Sequence, residues 1–252
     1  MATETRAADG KKATKNPVKK QARVSGILYL IIFVVAPFPF IVGRAGLVVP
    51  GDAITTANNI LASKSLFRLG MAAETIVFLV EIVLAALLFV LLRPVNKPLS
   101  LAAAFSRVGE AVVQAVNLLT SALVLLLLGD TGYLSVFNFD QLSSLSMLFL
   151  DVNAFVILVW GFLFGLHLLL LGYLVYKSEF WPRILGILLL LAGVGYLLQS
   201  FGHILLPQFD DILSVAVVVL AVPGELAFAL WLLVKGVNVG KWEQRAAGSA
   251  VS

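Results

Sequence analysis

LGMAAETIVFLVEIVLAALLFVLLRPVNKPLSLAAAFSRVGEAVVQAVNLLTSALVLLLL, residues 69–128, decides the fold. It reads as two long apolar helices joined by a turn at Arg93, Pro94, Val95, Asn96, Lys97 and Pro98. Each run is long enough for a bilayer core of about 30 Å, which takes roughly 20 apolar residues to cross. Set into this background are Glu74, Glu81, Arg107, Glu110, Gln114 and Asn117. Ionisable side chains at membrane depth are expensive and mark functional sites.

Their spacing forms a seam. Arg107, Glu110, Gln114, Asn117 and Ser121 follow steps of three and four, which is one stripe of a helix. Glu74 and Glu81 are seven apart and share a face to within about 20°. Folding the two helices about the turn brings Glu81 level with Glu110 and Glu74 level with Asn117. Arg107 then lies about one helical turn from Glu81, within ion-pair reach of Glu81, Glu110 or both. Two carboxylates cannot both ionise cheaply on one guanidinium in a low dielectric. The cluster is therefore either a proton-handling or ligand-binding site or a structural ion pair locking two helices. Buried pairs often serve register, which favours the structural role on sequence grounds.

The rest of the chain has the same character. Its 252 residues are 60% hydrophobic and 13% charged, against about 25% charged in a soluble domain. There is no cysteine, which excludes disulfides, thiol redox chemistry and thiolate metal sites. The net charge of +4 is no nucleic-acid signal, because the basic excess sits in the amino-terminal segment and short connections.

The expected architecture is all-α: a polytopic transmembrane helix bundle of six spans. Residues 1–25 carry seven basic and two acidic residues and read as a disordered cytoplasmic tail. Such a tail can bind anionic lipid. The transmembrane domain is expected over 26–236, with spans at about 26–43, 69–92, 99–128, 144–176, 184–206 and 212–234. Pro37 and Pro39 should loosen the outer end of the first span. Asp52 is a fair N-cap. Ile54, Ala57, Ile60 and Leu61 behind it suggest a short interfacial helix between spans one and two. Pro182 should open span five. Pro223, Gly224 and Glu225 should break span six near its middle. Residues 237–252 read as a short cytoplasmic tail.

With the amino terminus inside, inner segments hold fourteen basic residues and outer ones three, Arg44, Lys64 and Arg68. That follows the positive-inside rule and puts both termini in the cytoplasm.

Three further sites have a functional and a plain reading. A helix break at Glu225 exposes backbone dipoles of the kind transporters use as ion sites, or it is an ordinary kink. His167 and His203 fall at different depths, so no shared metal site is expected, and no cofactor is implied. The sequence has no Gly-x-Ser-x-Gly elbow, His-Glu-x-x-His or phosphate-binding loop.

Several phrases resemble a known family. They include Pro50-Gly51-Asp52, Phe67-Arg68-Leu69-Gly70, Leu92-Arg93-Pro94-Val95-Asn96, Phe164-Gly165-Leu166-His167, Pro182-Arg183-Ile184-Leu185-Gly186 and Trp231-Leu232-Leu233-Val234-Lys235-Gly236. Together they are similar to the bacterial multi-pass membrane family called domain of unknown function 4386. The resemblance implies a single helical domain in a bacterial cell membrane. It carries over no activity and no catalytic residue. The function expected is thus a non-catalytic structural or sensory membrane protein. The alternatives are a small proton-linked transporter or channel, and a membrane-embedded enzyme acting on a lipid.

Overall fold

The computed structural model describes residues 16–44 and 46–249. Six helices in it are long and apolar enough to cross a membrane. The regular elements are α1 (Pro17–Val35), α2 (Ala53–Ala62), α3 (Lys64–Leu92), α4 (Lys97–Leu127), α5 (Phe139–Lys177), α6 (Arg183–Leu205), α7 (Asp210–Val234) and α8 (Val239–Ser249). The protein is an all-α polytopic bundle, and α1, α3, α4, α5, α6 and α7 are its spans.

The spans form a closed ring. Each packs on its neighbour in chain order, and α7 returns to pack on α1. Lipid tails are as apolar as leucine, so close van der Waals contact must hold such a ring together. The sequence supplies it with small residues. A methyl group built on Gly26 of α1 would lie 2.5 Å from the Leu233 nitrogen of α7. Gly165 and Gly172 of α5 meet Gly193 and Gly186 of α6 in the same backbone-to-backbone manner.

The ends of the ring are tied differently. At the terminal end, where α1 begins and α7 finishes, the Trp181 indole donates to the Gly236 carbonyl at 2.8 Å. The Trp242 indole of α8 donates to Leu91 O at 2.8 Å. At the other end α2 packs on α5 and α3. Asp52 caps it, accepting from the Thr55 backbone N–H at 2.9 Å. Ala57 and Ile60 are fully buried, in a cluster with Phe67, Val124 and Leu150, while Ile54 stays exposed.

Three expectations need correction. First, α1 starts at Pro17, inside the segment read as disordered; Asn16 caps it, accepting from Val18 N at 3.0 Å. Residues 1–15 of that tail lie outside the described residues. Second, residues 239–249 are helical where a plain tail was expected. Third, span six is not broken. α7 runs through Pro223 without interruption. Neighbouring helices make an internal proline tolerable in a span, and Gly224 packs directly on the Leu188 carbonyl of α6. The proline effect appears instead in the first span. There the α-helix ends at Val35, and Pro39–Arg44 continue as a π-helix.

Candidate functional site

Inside the ring the chain places its ionisable groups at one depth. Tyr29, Glu81, Arg107, His167, Tyr196 and Glu225 each lie nine to thirteen residues from the terminal end of their helix. At 1.5 Å per residue that is about 14–20 Å, near the middle of a bilayer core about 30 Å thick.

Arg107 is the centre. It is 1% exposed. Its guanidinium carbon lies 5.1 Å from the centroid of the Tyr29 ring and 5.5 Å from that of Phe164. Arg107 Nη1 is 3.8 Å from Glu110 Oε1, one helical step away. Among the described residues Glu110 alone comes within ion-pair distance, so Glu81 acts on Arg107 only from farther off. Glu225 of α7 lines the same space, as does Tyr196 of α6. The floor thus carries three carboxyl groups and one guanidinium.

Above this floor is a cavity of about 390 Å³. On α3 its lining runs from Phe67 to Glu81, on α4 from Ser121 to Arg107, and on α5 from Leu150 to Phe164. Fourteen residues on each helix correspond to a depth of about 21 Å. The cavity therefore reaches from the α2 end to mid-depth and stops at Arg107. Of the seam residues read from sequence, Glu74, Glu81, Arg107, Gln114, Asn117 and Glu225 line it. Glu110 does not; it is fully buried behind Arg107.

Two kinds of polar group occupy this space. Toward the α2 end Asn117 and Asn153 satisfy each other. Asn117 Nδ2 donates to the Asn153 carbonyl at 3.1 Å, and Asn153 Nδ2 donates back to the Asn117 carbonyl at 3.3 Å and to Thr120 Oγ1 at 2.7 Å. This clamp joins α4 to α5. At the floor the opposite holds. Tyr29 Oη, Glu81 Oε2, Arg107 Nε and Nη1, both Glu110 oxygens, Gln114 Oε1, Trp160 Nε1 and His167 Nε2 have no protein hydrogen-bond partner. His167 Nδ1 is 2.8 Å from the Ala103 carbonyl, which can only accept. Nδ1 therefore carries the proton and Nε2 presents a lone pair. Buried polar atoms are nearly always satisfied by protein or water. Six of these atoms, on Tyr29, Glu81, Arg107, Gln114 and Trp160, belong to residues that line the cavity, and they mark a surface built to meet water or a ligand.

His203 is remote from this floor and pairs with Asp210 at 2.7 Å, near the α2 end of α6 and α7. Among the described residues no three His, Asp or Glu side chains gather as metal ligands.

The geometry can be set beside known proteins. A family model described as Domain of unknown function (DUF4386) matches residues 24–236. The chain belongs to this family. The DUF4386 match begins inside α1 and ends just past α7, so it takes in every span and the whole cavity lining. A protein from Archaeoglobus fulgidus, itself described as uncharacterized, is 31% identical over 163 residues, 64% of this chain and 80% of the relative. Relatives of this DUF4386 protein therefore occur outside bacteria. No solved structure matches.

Sequence reasoning singled out the charged and amide residues and passed over the aromatic ones. Tyr29, Trp160, Phe164 and Tyr196 come from three different spans; Tyr29 and Phe164 meet Arg107, and Trp160 and Tyr196 pack on Phe164. Trp160 and Phe164 have an i, i+4 spacing, the one signal in the sequence that could have placed two of them on a common face.

Proposed function

We propose that this protein is a small-molecule carrier of the cell membrane, with Glu81, Arg107 and Glu225 at the floor of its binding cavity and Glu110 supporting Arg107. The observation that carries this reading is the end of the cavity at mid-depth on polar atoms that no protein group satisfies. A purely structural ion pair would be packed dry with its hydrogen bonds made, because a half-satisfied buried network costs stability. Here the pair is loose, at 3.8 Å, and the cavity reaches it. More carboxyl groups than bases face the floor, so a proton or a cationic ligand is the natural balancing charge. That makes the carrier proton-linked in this reading. Both termini are cytoplasmic and α2 is external, on the strength of the basic-residue asymmetry. The basic amino-terminal segment adds contact with anionic lipid, at about 1 kcal/mol per basic residue near the surface.

Absence of cysteine gives a clean test. Gln114→Cys faces the cavity, whereas Leu119→Cys, on the same helix, sits at a position 62% exposed on the outside of the bundle. Intact cells carrying either variant are treated with a membrane-impermeant, positively charged methanethiosulfonate. The thiol of Gln114→Cys should react many times faster than that of Leu119→Cys. Equally slow reaction at both positions would return the floor to the structural ion-pair reading.

A further inference from the structure

We infer that the molecule taken up by this cavity is a lipophilic organic cation, an alkyl amine or alkyl ammonium compound, which enters sideways from the bilayer. The inference rests on the carrier reading above and adds the substrate's class and its route.

The route follows from the cavity mouth. Ala36, Pro37 and Phe40 of the first span and Val222 of α7 line the cavity and are also exposed. All four are apolar. This stretch of wall is apolar and meets hydrocarbon, whereas the α2 end, where the cavity begins, is the side from which a water-soluble reagent would come. The local structure explains why the wall opens here. α1 and α7 are held together at Gly26, against Ala229 and Leu233, and at Tyr29, whose ring meets Phe228 edge-on at 5.9 Å. Those contacts lie in the terminal half. Beyond Val35 the first span leaves α-helical geometry, and its chain follows the prolines toward α3, where a methyl group built on Gly70 would lie 3.7 Å from Pro39.

The charge follows from the floor. Glu81 and Glu225 face the cavity from α3 and α7, and Glu110 stands behind Arg107. The opposing charge, Arg107, already has Glu110 as its ion-pair partner. Its guanidinium carbon lies 5.1 Å from the Tyr29 ring centroid and 5.5 Å from that of Phe164, and Glu110 lies beside Nη1. A carboxylate or phosphate ligand would be desolvated among several acids for one occupied arginine. A cation meets those acids directly. Trp160, Phe164 and Tyr196 form the adjacent wall, packed on one another at centroid distances of 4.8–5.8 Å. Aromatic faces attract ammonium groups, and more strongly once water is removed. Apolar side chains above the floor, among them Met71, Val113 and Ile157, suit an alkyl tail. The volume of about 390 Å³ falls within the range of sites for small ligands.

The test uses the full-length protein in lipid nanodiscs, with radiolabelled octyltrimethylammonium and subtraction of protein-free discs. Saturable binding is expected, displaced by octylamine and left intact by octanoate and octanol at equal concentration. Glu225→Gln and Glu81→Gln should each weaken it at least about tenfold, the equivalent of 1.4 kcal/mol, in protein that remains helical and monodisperse. Val222→Trp should slow association while leaving Gln114→Cys reactive to the water-soluble reagent. Displacement by octanoate as effective as by octylamine would overturn the cation assignment. So would the absence of saturable binding in protein whose Gln114→Cys variant reacts, since the cavity would then be open but made for another class. An unreactive Gln114→Cys removes the carrier reading itself, which keeps the two failures distinct.

Discussion

The Arg107 guanidinium lies 5.1 Å from the Tyr29 ring, yet these residues belong to α4 and α1, which are not neighbours in the ring of helices. The contact spans the axis of the bundle. It couples the first span to the central hairpin at the depth where the cavity ends, so the floor is held by pieces of chain far apart in sequence.

Arg107→Leu should therefore be among the most damaging single changes. It removes the positive charge from a floor that holds Glu81, Glu110 and Glu225, and it strips the partner from two aromatic faces. Breaking a buried charge pair from one side costs about 3–5 kcal/mol. Arg107→Leu combined with Glu81→Gln and Glu110→Gln should recover much of that loss, since fewer uncompensated carboxyl groups remain. Thermal or denaturant unfolding in a mild detergent reads the difference. Equal stability of the single and triple variants would show that the charges do not support one another.

Closure of the ring between α1 and α7 makes a second prediction. A side chain at Gly26 would enter the backbone of Leu233 and Ala229. Forcing extra atoms into a packed contact costs about 1–3 kcal/mol or more, so Gly26→Leu should lower the unfolding temperature and loosen the terminal half. Gly132→Leu serves as the control, because nothing lies within 4 Å of a methyl group there. Similar losses for the two would mean that α1 and α7 tolerate separation.

How much of this was legible in the sequence depends on which physical signal each residue carries. Glu81, Arg107 and Glu110 stood out because charge in an apolar run is costly, and their helical spacing placed them at one level. The Asp52 cap and the buried Ile60 of α2 were equally readable, from capping chemistry and a short amphipathic period. Tyr29 and Tyr196 carried no such signal. A tyrosine within an apolar span is an ordinary packing residue until the ring order of helices brings it to the arginine. That order, with α7 returning to α1, depends on close backbone contacts such as Gly26 on Leu233, which periodicity does not encode. Pro223 misled for a related reason: propensity predicts a break, but the packing of Gly224 on Leu188 keeps the helix continuous.

The α2 cap supplies a prediction with a pH dependence. The backbone N–H of Thr55, and then its hydroxyl, hold the Asp52 carboxyl below its ordinary value. A carboxyl whose folded value is lowered contributes its stabilisation above its unfolded value, near 3.9, and loses it as pH falls through the folded one. Order in α2 should thus be steady from neutral pH down to about 5 and decline only in stronger acid. Asp52→Asn should show no such acid step, and Asp52→Ala should loosen α2 at every pH. A spin label at Ile54, which is exposed, reports this through its mobility. An acid step of the same size in Asp52→Asn would place its origin elsewhere.

The last prediction concerns direction in the membrane. α1 begins and α7 finishes at the same end of the bundle: the Asn16 amide donates to Glu243 of α8 at 3.2 Å, and Gly236 packs against Lys19. An even number of spans follows, with both ends of the domain on one side. The basic residues then choose the side. Lys19, Lys20, Arg23, Arg93, Lys97, Lys177, Arg183 and Lys235 fall at or near the terminal end, while the connection between α4 and α5 holds Asp130 and no Lys or Arg. Basic segments are retained in the cytoplasm. A green fluorescent protein fused after Ser252 should therefore fluoresce, and alkaline phosphatase inserted in the connection between α4 and α5 should be active. The same phosphatase fused after Ser252 should be silent. Phosphatase activity at the carboxyl end, with a dark fluorescent fusion, would invert the protein, and the mouth of the cavity would then face the cytoplasmic half of the bilayer.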